Sequence, residues 1–471
     1  MSDDQATPPT TFDVVVVGHG AAGLSAAVTY VEACRADGRE PSIAVLETAP
    51  ETERGGATRW TTARFRALED LTLDPFFVGR MQELSGGLAD VDYCRRLEAE
   101  VPKTLAFLEA HGVELVHYGP PVAMRVTHEV TPNGGGASIV EHLHRALAID
   151  GGATILYETA AERLVVGDDG AVAGVVVRGP DGRTRHLGAR AVVLACGGFE
   201  GNPEMLTRYA GPNAVDLPLL APGLRHNRGA GIRMAMEIGA ATSGQFDMLH
   251  TELVDIRTDR ADAVIYAHPY GIVVNADAQR FWDEGQGTFE DTFEQIAFEV
   301  YRHQGQEAYF IADQTITSYP GLMVLFDTDQ PAIEADSVGE LAHLLGLDPE
   351  ALERTVSEYN AAVQPGDFDP NVLDGTCTEG LSPDKSNWAY PLQQPPYFAY
   401  PLRAAICFTY GGLRTDDEAR VLAENGAPIP GLYAAGEITG VFYHAYPAGT
   451  SVLRSLSFGR VAGANIAAGV A

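Results

Sequence analysis

The chain has 471 residues, 45% of them hydrophobic and 20% charged, with 51 Gly and 28 Pro, a composition that supports large cores and excludes a mini-protein or a disordered chain. Its 64 acidic residues outnumber 32 basic ones, for a net charge of -32, and a surface of that sign repels nucleic-acid phosphates and anionic lipid. Of the basic residues only Lys103 and Lys385 are lysines, so an anionic ligand would need arginines brought together locally. The five cysteines (Cys34, Cys94, Cys196, Cys377, Cys407) are scattered without a Cys-x-x-Cys spacing, which indicates no disulfide framework, metal site or attached haem and fits a reducing compartment. The polar start, Met1 to Asp13, has no basic-then-apolar leader, and no apolar run reaches a membrane span. The expectation is a cytoplasmic protein without direct membrane insertion.

Phe12 to Val17 (FDVVVV) reads as a strand buried on both faces and leads into Gly18-His-Gly20-Ala-Ala-Gly23. Leu24 to Ala36 reads as a helix, and Ser42 to Leu46 as a second buried strand ending at Glu47. This is the βαβ opening of a dinucleotide-binding fold. Gly18 permits the tight turn, Gly20 the approach of a pyrophosphate, and Gly23 close helix-strand packing. Ala22 lies in the same phosphate-facing turn, and Glu47 is placed to accept from ribose hydroxyls.

Three later segments separate a flavoprotein from a nicotinamide dehydrogenase. Arg54-Gly55-Gly56-Ala57-Thr58 is a second small-residue turn. Ala191 to Phe199 is a buried strand ending in Cys196-Gly197-Gly198, after turns at Asp168-Asp-Gly170 and Pro180-Asp-Gly182. Gly431-Leu-Tyr-Ala-Ala-Gly436-Glu437 is a strand ending in Gly-Glu, followed by a helix from about Ser451.

Together these segments resemble the flavoprotein family of fumarate reductase, succinate dehydrogenase and 3-ketosteroid Δ1-dehydrogenase over nearly the whole chain. The resemblance implies an α/β fold: a Rossmann-like FAD-binding domain in two parts, 1–247 and 408–471, interrupted by an α+β capping domain at 248–407. It implies that Gly436 and Glu437 meet the ribityl chain. It also implies that the terminal helix, with Thr450, Ser451 and Val452 at its start, faces the N1 and C2 carbonyl side of the isoalloxazine. Covalent members carry histidine where Ala57 stands, so the FAD is expected to be noncovalent.

Against the dicarboxylate site of the fumarate reductases, His250 occupies the position of a cap histidine. The acid arginine falls on Thr288, a second histidine becomes Phe408, and the carboxylate-binding arginine becomes Tyr446. Phe442-Tyr-His-Ala-Tyr-Pro-Ala-Gly449, His226-Asn227 and Arg280-Phe-Trp-Asp-Glu284 look most like the tricarballylate dehydrogenase branch. The Tyr-Pro-x-Gly element is also close to ketosteroid dehydrogenases, where Tyr and Gly polarise a carbonyl. Tyr446, with the Gly449 amide, is therefore the first catalytic candidate, and His250 and His444 follow as base or anion binder. Arg280, Arg59 and Arg66 are candidate carboxylate partners, with an ion pair from Arg280 to Asp283 or Glu284 as the alternative, and Tyr410 is a lid or a catalyst.

The expected activity is FAD-dependent dehydrogenation or reduction of a CH–CH bond beside a carboxyl or carbonyl group. A tricarballylate-like polycarboxylate is favoured, a ketosteroid-like cyclic ketone is the alternative, and a flavin electron-transfer protein is the reading outside enzymes. The electron acceptor would be oxygen, a quinone or a redox partner protein.

Overall fold

The computed structural model describes residues 10–119, 122–123, 128–149 and 152–469. Most of the polar N-terminal stretch named above lies outside these residues. Strand Thr11–Val17 forms where the β-branched run begins and pairs in parallel with Ile43–Leu46 on one side and Thr184–Leu194 on the other. The helix between the first two strands runs Ala21–Ala36, three residues earlier than expected, because the last residues of the glycine turn already have helical geometry. The parallel core continues through Pro428–Ala434 at one end and Thr154–Leu156 at the other. The two Asp-Gly turns fall as expected between strands Ala160–Val166, Val172–Arg178 and Thr184–Leu194, an antiparallel meander that feeds the last of them into the parallel sheet.

Among the described residues a second sheet of five strands contains Leu249–Asp255, Ile272–Asn275, Ala308–Asp313, Ile333–Ala335 and Tyr397–Thr409. The 13-residue strand Tyr397–Thr409 is its spine, antiparallel to Leu249–Asp255, Ala308–Asp313 and Ile333–Ala335. Its ladder with Leu249–Asp255 is interrupted by a bulge between His250 and Thr251. Helix Phe289–His303 packs on these two strands, burying Phe293, Ile296, Ala297 and Val300 on one stripe. The terminal helix Ser451–Gly469 lies along Ala21–Ala36, and its Gly459 and Gly463 allow that approach: a Cβ at either would stand 2.3 Å or less from a backbone oxygen or side chain of the first helix.

Candidate active site

A cavity of about 400 Å³ runs from the first glycine turn to the wall formed by Leu249–Asp255 and Phe289–His303. At its nucleotide end the glycines act through closeness. A Cβ on Gly18 (φ +114°) would lie 2.2 Å from the Ala195 carbonyl oxygen, and one on Gly23 would lie 1.9 Å from the Gly18 oxygen. Helix Ala21–Ala36 has Gly20 as its N-cap with no side-chain cap, so its first turn presents amides to the cavity. The Ala21 amide donates to Thr58 Oγ1 at 3.0 Å, which ties the second small-residue turn to the first. Gly56, Ala57 and Thr58 line the cavity, while Gly55 (φ +111°) sits behind them with no room for a side chain against Val140. Ala57 offers no nucleophile. Glu47 is buried at the end of its strand and accepts from the Ala49 amide at 2.8 Å; burial raises its pKa, against the pull of neighbouring amides. His19 is held neutral, its pKa lowered to about 3 by burial and by His144.

In the middle of the cavity, Cys196 and Gly197 line the wall, and burial pushes the Cys196 thiol up to about 11, so it stays protonated. Gly198 lies behind, where a Cβ would collide with Thr409 Oγ1 and Glu437 Oε1, so its role is to let that carboxyl in. Glu437 accepts from the Thr409 amide at 2.9 Å and from Asn227 Nδ2 at 3.2 Å. Burial raises both Glu437 and the neighbouring Glu200. Gly436 (φ +87°), Ser451 and Val452 complete this stretch of wall. The terminal helix begins here with no acidic residue in its first turn. Its Thr450 and Ser451 amides both donate to the Tyr446 hydroxyl at 2.8 Å.

At the far end Tyr446, Ala448 and Gly449 face His250, Glu252, Asp262, Tyr266 and Phe293. His250 is 2% exposed and clamped between two carboxylates, Nδ1 at 2.6 Å from Glu294 Oε1 and Nε2 at 3.0 Å from Glu252 Oε1. Burial alone would lower its pKa, but the two acceptors reverse this and lift it to about 9, so the ring is an imidazolium at neutral pH. Glu294 also accepts from the Tyr410 hydroxyl and, at 2.9 Å, from the Tyr446 amide. Tyr410 thus braces the back of the site. Asp262 is raised to about 7 by burial, with Glu252 as the next cause. Arg64 lines the same region, 3.6 Å from Glu129.

Two catalytic expectations are corrected. Arg280 lies outside the cavity because Glu284 binds its Nε (3.0 Å) and Nη2 (2.6 Å) and the Pro383 carbonyl binds Nη1, which makes it a brace of the second sheet. His444 is exposed at φ +60° beside Gly86, turned out of the cavity by the same backbone conformation that points Tyr446 in. Of the candidate carboxylate partners, Arg59 is paired with Glu141, and buried Arg66 with Asp74 at 3.1 Å. The sequence reading passed over Glu252, Glu294, Asp262, Tyr266 and Arg64. A His-x-Glu spacing on a strand, which puts both side chains on one face, was the available signal for Glu252.

These features fit FAD: a glycine cradle that a Cβ would fill, two helix N-termini opening on one long cavity, and a buried acid at the strand end. The FAD binding domain family model matches residues 13–453. The chain is 28% identical over 480 residues to a probable fumarate reductase, Ifc3, of Shewanella frigidimarina, covering 98% of this chain and 76% of the relative. It is 31% identical over 348 residues to the 4-oxocyclohexanecarboxylate 2-dehydrogenase of Sinomonas cyclohexanicum, covering 68% and 59%. A solved 3-ketosteroid-Δ4-(5α)-dehydrogenase from Rhodococcus jostii superposes with a TM-score of 0.71 at 26% identity, covering 98% of both chains. No helix among the described residues is long and apolar enough to cross a membrane. With a match of that extent lying over a cavity of this construction, the chain belongs to the FAD binding domain family and is an FAD-dependent oxidoreductase of CH–CH or C=C bonds.

Proposed function

We propose that the chain acts on the bond α,β to a ketone, with a cyclic ketone carrying at most one carboxylate as the substrate class. The observation that carries this reading is the Tyr446 hydroxyl, whose oxygen accepts two amides at the start of the terminal helix. Its own hydrogen is left to donate into the cavity, and the Gly449 amide beside it supplies a second donor for a carbonyl oxygen. Donors fixed in this way stabilise the enolate oxygen that develops when the α-proton leaves. Bound FAD supplies the two-electron acceptor or donor. Gly18, Gly20, Ala22 and Gly23 would hold its pyrophosphate, Glu47 its ribose, and Gly436, Glu437, Ser451 and Val452 the flavin end, noncovalently given Ala57. The segment 248–407 would act as the cap that excludes water.

The polycarboxylate reading has less support. A tricarboxylate needs converging guanidinium groups, and around Tyr446 and His250 the cavity offers Arg64 amid Glu129, Glu252, Asp262 and Glu290. One carboxylate at Arg64 and one carbonyl at Tyr446 match the ketone acid named for the Sinomonas relative. The test is anaerobic bleaching of the oxidised flavin band by 4-oxocyclohexanecarboxylate, 4-androstene-3,17-dione, tricarballylate and succinate. Bleaching by either ketone and not by the acids is expected; bleaching by tricarballylate alone refutes the proposal.

A further inference from the structure

We propose that Glu252 is the catalytic base of this site, taking the substrate α-proton on Oε2. The inference rests on the carbonyl reading above for the acidity of that proton, and on separate geometry for the residue. Glu252 is 6% exposed and lines the cavity. Its Oε1 accepts from His250 Nε2, while its Oε2 is buried with no hydrogen-bond partner. A buried carboxylate oxygen left unsatisfied is costly in a folded protein, and such exceptions call for a role. Here Oε1 is held by the His250 imidazolium, which Glu252 shares with Glu294, and Oε2 is left without a partner in a residue that lines the cavity. A base requires an oxygen with no competing donor, and Oε2 is one.

The other titratable groups on this wall are less suited. Both nitrogens of His250 face carboxylates, at 2.6 and 3.0 Å, and the ring is already protonated. Glu294 is filled by His250, Tyr410 and the Tyr446 amide. Glu129 pairs with Arg64, and Asp262 accepts the Thr62 amide at 3.3 Å. Tyr266 is pushed well above its ordinary pKa by burial, and then by Glu252 and Asp262, and stays a phenol. Because His250 and Glu252 lie two apart on strand Leu249–Asp255, one strand face carries both the base and the cation that stabilises it.

The step balances as a proton transfer. The α-C–H bond breaks, its electron pair becomes the C=C of the enolate as the carbonyl oxygen takes the charge, and the proton forms an O–H bond on Oε2. No oxidant is consumed, so the step is observable without turnover. In D2O the oxidised holoenzyme should wash deuterium into the α-positions of 4-oxocyclohexanecarboxylate, read by proton NMR. Glu252→Gln is expected to lower that rate by about 10²- to 10⁴-fold while retaining its FAD absorbance. Glu252→Ala plus formate should recover part of it, which separates loss of the base from loss of the fold. His444→Asn, at an exposed residue outside the cavity, should retain it. Wash-in that survives Glu252→Gln, that is lost instead in Asp262→Asn, or that is absent from wild type overturns the assignment. Flavin bleaching reports on the ketone reading independently: bleaching with unchanged exchange in Glu252→Gln leaves that reading and removes the base, and the converse leaves the base and removes the redox substrate.

Discussion

Replacing His250 by Asn removes the cation between Glu252 and Glu294, and its effect on stability must depend on pH. The imidazole pKa rises from 6.5 to about 9 on folding. At 1.36 kcal/mol per pKa unit that is about 3 kcal/mol of stabilisation, fully present below the unfolded pKa and lost as pH climbs through the folded one. For 471 residues the unfolding entropy is about 1 kcal/mol per degree, so the contribution amounts to about 3 °C in Tm. Thermal melts of FAD-saturated wild type and His250→Asn, followed by circular dichroism, should show the wild-type advantage shrinking by about that amount between pH 6 and pH 10. An advantage that is constant or grows with pH would refute the imidazolium clamp.

Tyr446→Phe deletes the oxygen that accepts the Thr450 and Ser451 amides and the donor to the substrate carbonyl. kcat/KM for the bleaching substrate should fall by about 10²- to 10³-fold with FAD still bound, measured by stopped-flow absorbance. Gly23→Ala places a Cβ 1.9 Å from the Gly18 oxygen, and the purified protein should lose its flavin, read as the ratio of 450 to 280 nm absorbance. Arg280→Ala leaves buried Glu284 without its guanidinium, holding only the Val273 amide; a loss of about 3 kcal/mol, seen in Tm, is expected with KM unchanged. His444→Asn keeps a residue that tolerates positive φ at an exposed site, and should leave both kcat and KM at wild-type values in the same assay.

The nucleotide end of the site was legible because its chemistry is written in glycines, whose spacing is local and whose reason is steric. Gly18, Gly20 and Gly23 act within one turn, so six consecutive residues carry the information. The substrate end is built across long separations. Glu294 meets His250 from a helix 44 residues on, and the Tyr446 amide comes from 152 residues further still. Nothing periodic links them. Arg280 misleads as a single residue because a guanidinium reads the same whether it binds substrate or Glu284, and the Glu four positions later is visible only as an alternative. His444 and Tyr446, two apart, would share a face in a regular strand. The chain there has φ +60° at His444, and that departure from extended geometry accompanies the division of the two side chains between solvent and cavity.

The bulge between His250 and Thr251 interrupts the ladder with Tyr397–Thr409 at the first of the two steps from the imidazolium to Glu252. Leu249 at the start of the strand pairs with Thr409, the last residue of the longer one, which donates its amide to Glu437. His250 lies on the Thr409 side of the bulge and Glu252 beyond it, so the 3.0 Å contact between them bridges the irregularity. That bond spans the place where the ladder loses register, and it ties the carboxylate to the end of the strand that pairs with Thr409.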